Sequence, residues 1–214
     1  MHSRPFPVVI AAPSGAGKTS LAHALVDRNE DIVFSVSATT RPPRSYETDG
    51  VDYEFVDAAE FQRMVAADEL VEWAEVHGHC YGTPARGIDA ALARGQLVVL
   101  DIDVQGARQI RRRFPEAVLI FIVPPSGGEL VRRLRGRKSE GEPERLRRLR
   151  NARAELHAAG EFDYVVVNDE LERAVGALQA IVDAERRRYP RLVEPVAELA
   201  RSDREVGEIV DRSE

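Results

Sequence analysis

In the stretch IAAPSGAGKTSL, Ile10 to Leu21, two glycines, a lysine and a threonine follow the phosphate-loop pattern G-x-x-x-x-G-K-[ST], with Ala12 where the first glycine would stand. Gly15 and Gly17 permit positive φ and close backbone approach, so successive amides can point inward at an anion. A helix beginning at Lys18 adds partial positive charge at its N-terminus. Lys18 can bridge outer phosphates, and Thr19 can place its hydroxyl on Mg²⁺. Ala12 falls at the end of a strand, where an ordinary negative φ suffices. Of the 30 basic residues only Lys18 and Lys138 are lysines. A chain that otherwise uses arginine places a slim ammonium group in this loop.

Four further constellations carry chemistry. In SATTRPPRSYETDGVDYEF, Ser37 to Phe55, Arg41 and Arg44 flank two prolines that fix the backbone between them. Two guanidinium forks and the hydroxyl of Tyr53 make a receptor for one phosphate group. In LVEWAEVHGHCYGT, Leu70 to Thr83, Glu72 sits in an apolar strand. A carboxylate accepts from the N1–H and the N2 amino group of guanine, whereas adenine offers an acceptor at N1 and no amino group at C2. The hydroxyls of Ser37 and Thr83 can donate to O6. His77, His79 and Cys80 are too crowded, and lack a second ligand pair, for a zinc site. In VVLDIDVQG, Val98 to Gly106, Asp101 and Asp103 stand at the carboxyl end of a buried strand, where open α/β sheets bind ligands. Side chains alternate along a strand, so the two point the same way. One can hold the Mg²⁺ water shell while the other faces the purine. Finally, RRLRGRK (Arg132 to Lys138) and RLRRLR (Arg145 to Arg150) flank the polar segment SEGEPE, the arrangement a closing lid requires. Arg111 to Arg113 read as a solvated helix face.

The elements that must position these groups are readable in outline. Strands are expected at Val8–Ala11, Phe34–Ser37, Asp52–Val56, Leu70–Val76, Leu97–Ile102, Val118–Val123 and Tyr164–Val167. Helices are expected at Lys18–Val26, near Ala58–Ala67, and at Ala85–Arg94, Val104–Phe114, Leu130–Arg135, about Glu144–Ala159 and Leu171–Arg188. Apolar strands alternating with helices imply a parallel sheet covered on both faces, and residues 38–83 read as a small mixed insert. The tail after Pro190 has weak helical spacing. From Arg191 to Glu214 four arginines face seven acids, half of the net charge of −6. That net charge argues against general nucleic-acid binding, and the local arginine patch suits a small polyanion. No apolar run is long enough to cross a bilayer, the N-terminus does not read as a signal peptide, and one cysteine, Cys80, fits a reducing cytoplasm. Two phosphate sites, a Mg²⁺ position and a guanine reader imply phosphoryl transfer to a guanine mononucleotide. The acceptor oxygen is already ionised, so no general base is needed, and the work is positioning and charge neutralisation.

The chain resembles guanylate kinase from Pro7 to about Tyr189. The resemblance is carried by PSGAGKTS, FSVSATTRPPR, DYEFV, ELVEWAEVHG, YGT, LDIDVQG, RLRGR, RLRNARAEL and VVVNDELERA. It implies an α/β fold, a P-loop NTPase-type parallel sheet core flanked by helices, with an inserted GMP-binding lobe (37–83) and a lid (about 136–150). The core would be 5–36 and 84–189, with an acidic tail at 190–214. It implies Mg²⁺-dependent transfer from ATP to GMP, with dGMP as a further acceptor. ATP would be held by Ala12, Pro13, Ser14, Gly15, Ala16, Gly17, Lys18, Thr19 and Ser20, with Arg137, Asn168 and Asp169. GMP would be held by Ser37, Arg41, Arg44, Tyr53, Glu72, Tyr81, Gly82, Thr83 and Asp103. Lys18, Arg44, Arg137 and Arg148 would be catalytic, and Thr19 and Asp101 would hold Mg²⁺, the latter through water. Bacterial members commonly carry alanine at the first loop position. Tyr46 stands where the family's P-R-x-G-E has glycine, and Lys138 where its G-R-G has the second glycine. The expected partners are ATP and GMP alone, with no tightly bound prosthetic group, nucleic acid or membrane, in a cytoplasmic monomer or homo-oligomer. Interaction modules similar to guanylate kinase typically lose such site residues, whereas Lys18, Thr19, Arg44, Glu72 and Asp101 are all present. A related ribose bisphosphate kinase family lacks the D-I-D and guanine-reading pattern.

Overall fold

The computed structural model describes residues 3–76, 78–135 and 142–211. Nine strands are described: β1 Pro7–Ala11, β2 Ile32–Phe34, β3 Ser37–Thr39, β4 Tyr53–Phe55, β5 Leu70–Val76, β6 His79–Pro84, β7 Leu97–Asp101, β8 Val118–Val123 and β9 Tyr164–Val167. The helices are α1 Lys18–Asp27, α2 Ala58–Ala66, α3 Ala85–Ala93, α4 Val104–Arg113, α5 Gly127–Arg135, α6 Glu142–His157, α7 Leu171–Arg186 and α8 Glu194–Asp211.

Five strands form a parallel sheet in the order β2-β7-β1-β8-β9. The central strand, PVVIA, is buried throughout because helices cover both faces. Its side chains divide by the two-residue period of a strand. Val8 and Ile10 pack with Leu21 and Leu25 of α1 and Val175, Leu178 and Val182 of α7. Val9 packs with Ile88 and Ala91 of α3 and Ala107 and Ile110 of α4. Ile10 pairs with Asp101 and Ala11 with Phe121, so the phosphate-loop stretch and the aspartate-bearing turn leave the sheet at the same edge.

The second sheet has the order β4-β3-β6-β5, parallel between β3 and β4 and antiparallel elsewhere. Ala38, Phe61, Met64 and Leu70 form its own core. Asp57 caps α2 by accepting from the Glu60 amide at 2.8 Å.

Two expectations need correction. The single strand at Phe34–Ser37 is two strands in different sheets. Ser35 still donates its amide to Val99 at 2.9 Å, and the chain then crosses to the smaller sheet at Ser37. With neither glycine nor proline at the crossing, nothing in the sequence marks it. The segment His79–Pro84, unassigned from sequence, is the strand β6, which pairs with both β3 and β5. The tail after Pro190 forms α8, with Leu199, Val206 and Val210 exposed. Among the described residues no helix is long and apolar enough to cross a membrane.

Candidate functional site

Gly15 and Gly17 adopt φ of +87° and +86°, the left-handed conformation that turns the loop amides inward. Ala12 is not among the positive-φ residues, so the alanine meets no backbone penalty there. It is buried, as is Pro13, while Ser20 is exposed on the first turn of α1. The loop is buttressed from behind. Ala16 O accepts from Asn168 Nδ2 at 2.7 Å and from Arg133 Nη1 at 3.2 Å, and Arg133 Nη2 donates to Asn168 O at 3.1 Å. Leu134 of α5 packs over Gly15. Asn168, expected among the residues that hold ATP, is thus buried against the loop, while Asp169 accepts from Arg173. The Ser14 amide donates to Glu155 Oε2 of α6 at 3.2 Å. A loop amide that already holds a carboxylate oxygen behaves as an anion receptor. Burial pushes the Glu155 carboxyl up from its ordinary range.

Lys18 and Thr19 converge on one carboxylate. Lys18 Nζ forms an ion pair with Asp101 and donates to Ile102 O at 3.0 Å, and Thr19 Oγ1 donates to Asp101 Oδ2 at 2.5 Å. A hydroxyl and a carboxylate side by side at a phosphate loop are the hard oxygen donors that Mg²⁺ takes together with water and phosphate. The residues present therefore fit that ion. Asp103 caps α4, its Oδ1 accepting from the Gly106 amide at 2.8 Å.

A cavity of about 250 Å³ opens beside these groups. Lys18, Thr19, Asp101 and Asp103 line one side, and Ser37, Tyr53, Glu72 and Tyr81 line the other. Ala74 and Val76 follow Glu72 at alternate positions of β5 and, with Ile102, supply apolar wall. Sequence reading did not single out these three, although the alternation after Glu72 carried the signal. Glu72 is 4% exposed. Its Oε1 accepts from Thr83 Oγ1 at 2.6 Å. Burial lifts its carboxyl to about 7, with the nearby Asp103 charge adding to the rise and the Thr83 hydrogen bond opposing it. Thr83 is fully buried behind Glu72 and gives its one hydroxyl proton to it, so that proton is not directed at a base. Gly82 is also buried, packed against Leu70 and Trp73.

The two arginines stand outside the cavity wall. Arg41 lies 5.4 Å from the Tyr53 ring and donates to Glu47 Oε1 at 2.8 Å. Glu47 Oε2 accepts the Arg44 amide at 2.7 Å. One nearly buried carboxylate therefore holds both ends of the R-P-P-R turn, and Arg41 keeps it well below the usual carboxylate range. The Arg44 guanidinium is exposed and donates to Tyr46 Oη at 3.0 Å. Arg148 is half-buried on α6. Arg137, Lys138 and His77 lie outside the described residues.

Comparison with known proteins identifies the family. The family model described as guanylate kinase matches residues 4–185. The guanylate kinase of Myxococcus xanthus (strain DK1622) is 51% identical over 186 residues, 86% of this chain and 89% of that protein. That of Geobacter sulfurreducens is 47% identical over 195 residues, 91% of this chain and 96% of that protein. The crystal structure of guanylate kinase from Anaplasma phagocytophilum superposes with a TM-score of 0.75 at 35% identity, covering 89% of this chain and 90% of that one. A phosphate loop facing a buried carboxylate across one cavity, on this sheet order and with these relatives, means that the chain belongs to the guanylate kinase family, kinases that phosphorylate GMP with ATP.

Proposed function

We propose that this chain transfers the γ-phosphoryl group of ATP to the 5′-phosphate of GMP, and of dGMP, through the cavity between the phosphate loop and β5. One observation carries the reading: Glu72, buried, raised to about 7 and half-satisfied by Thr83, lines the same small cavity as Lys18, Thr19 and Asp101. A carboxylate there accepts from the two adjacent donors of guanine and would face an acceptor in adenine. A wrong base leaves it buried and unpaired. Tyr53, Tyr81 and Ser37 complete the GMP side. Arg41 and Arg44, held by Glu47, take the 5′-phosphate as paired forks. Residues 37–83 act as the GMP lobe.

On the ATP side, the loop from Ala12 to Ser20 wraps the phosphates and Lys18 follows the transferring group. Asn168 and Asp169 border the ATP site, Asn168 acting through the loop that it props. Arg137 and Arg148, of the segment 136–150 that would act as a lid, would balance negative charge. Thr19 and Asp101 would hold Mg²⁺, which when bound neutralises charge on the phosphates. The acceptor oxygen attacks as an anion, so no residue removes a proton from it. The enzyme would work in the cytoplasm on these small molecules.

The test is an ADP-release assay with GMP, dGMP, AMP and UMP as competing acceptors. The reading predicts turnover with GMP and dGMP and little with the other two. Turnover of AMP at the rate of GMP would overturn it.

A further inference from the structure

β5, which carries Glu72, is the outer strand of the smaller sheet. Its inner edge pairs with β6, and its outer edge must satisfy its backbone groups elsewhere. At Trp73, directly after the carboxylate, a side chain of α4 does this. Trp73 N donates to Gln109 Oε1 at 3.2 Å, and Gln109 Nε2 donates to Trp73 O at 2.9 Å. A primary amide offers a donor and an acceptor side by side, so Gln109 pairs with the strand as a peptide group of a neighbouring strand would. The β5–β6 register shifts between Leu70 and Glu72, so the inner ladder is irregular just before Glu72, and Gln109 pairs with the strand just after it.

Gln109 belongs to a stripe on α4. Asp103 lines the cavity, Gly106 lies one turn on, and Gln109 lies one turn further. Gly106 is bare where Glu72 descends on it: a Cβ there would stand 2.4 Å from Glu72 Oε2. Thr83 holds one carboxylate oxygen, Gly106 leaves room for the other, and Gln109 holds the backbone that carries both.

We infer that Gln109 is a positioning residue for guanine recognition: by pairing with the Trp73 backbone, it fixes the Glu72 carboxylate so that both guanine donors reach it together. The inference rests on Glu72 as the guanine reader. Two-point recognition is more sensitive to a small displacement than one-point recognition. Hypoxanthine keeps the N1–H and lacks the 2-amino group, so GMP and IMP measure the second contact by difference.

The test compares kcat/KM for GMP and IMP in Gln109→Leu, Glu72→Gln and the double variant, with KM for ATP as control. Gln109→Leu should raise KM for GMP about tenfold and lower the GMP:IMP ratio by a similar factor, as expected for one weakened charge-assisted hydrogen bond. KM for ATP should stay within about twofold, and a general loss of folding would lower kcat with both acceptors and leave the GMP:IMP ratio unchanged. In the Glu72→Gln background, Gln109→Leu should leave the ratio unchanged. An unchanged ratio in the single variant, or an undiminished drop in the Glu72→Gln background, overturns the role of Gln109 while leaving Glu72 in place. If Glu72→Gln alone alters neither GMP use nor the ratio, the guanine reader itself is wrong and the inference falls with it. Should Gln109→Leu fail to fold, Gln109→Asn carries the amide on a stem one carbon shorter and decides the same comparison.

Discussion

Lowering the pH from 8 to 6 should weaken GMP binding about tenfold through Glu72. Burial raises this carboxyl to about 7 in the ligand-free protein. Guanine's N1–H and amino group donate to the ionised form, and a proton on either oxygen meets a donor head-on. At pH 8 about nine tenths of the groups are ionised, and at pH 6 about one tenth, which corresponds to on the order of 1 kcal/mol of lost affinity. The sign for stability is the opposite. The folded-state value lies above the ordinary 4.5, so Glu72 contributes stability that is fully present below about 4.5 and is lost as pH rises through about 7. The full loss is about 3 kcal/mol at one pKa unit per 1.36 kcal/mol. Bound guanine offsets it by supplying donors. The assay is calorimetric titration of GMP between pH 6 and 8 in buffers of different ionisation enthalpy, where binding near pH 7 should release protons from Glu72. A phosphate monoester ionises near pH 6, so GMP brings its own pH dependence. Glu72→Gln keeps that dependence and removes the other. Identical pH slopes for the two proteins would refute the reasoning.

Lys18→Ala should lower kcat by orders of magnitude with the melting temperature little changed, since its amine serves Asp101 and the Ile102 carbonyl at the site and no core contact. Steady-state kinetics with a thermal melt decides this, and near-normal turnover would remove the loop from the mechanism. Gly17→Ala places a Cβ 2.5 Å from Asn168 Nδ2 on a left-handed residue, so it should raise KM for ATP at least about tenfold and leave GMP affinity intact. Equal losses for both nucleotides would contradict the separation of the two sites. Glu47→Ala releases Arg41 and the Arg44 amide together. It should raise KM for GMP about tenfold while guanosine binding, which needs no phosphate grip, stays the same; fluorescence or calorimetric titration with both ligands checks it.

Much of the fold was legible because its signals are local. VVLDI and VLIFIV are buried on both faces, and continuous apolar runs between helical stretches have few other readings. β6 escaped because HCYGTP carries glycine and proline and no alternation, and it is held by partners on both sides rather than by its own propensity. In the site, Lys18, Thr19, Glu72 and Asp101 were legible because their chemistry is written in residue type and spacing. Gln109, Glu47 and Glu155 were not, and Arg133 was read only as one of the arginines flanking a lid. Each acts on backbone groups or charges that only tertiary contact brings near, and none breaks the composition around it. Asn168 was found, but its buried contact with Ala16 O depends on where β9 ends relative to the loop.

The most direct measurement is calorimetric titration of Glu72→Gln with GMP and with ATP. The account predicts GMP affinity lower by about ten- to a hundredfold, the worth of charge-assisted hydrogen bonds to a buried group, with ATP affinity unchanged. Equal weakening of both nucleotides, or no weakening of GMP, would contradict it.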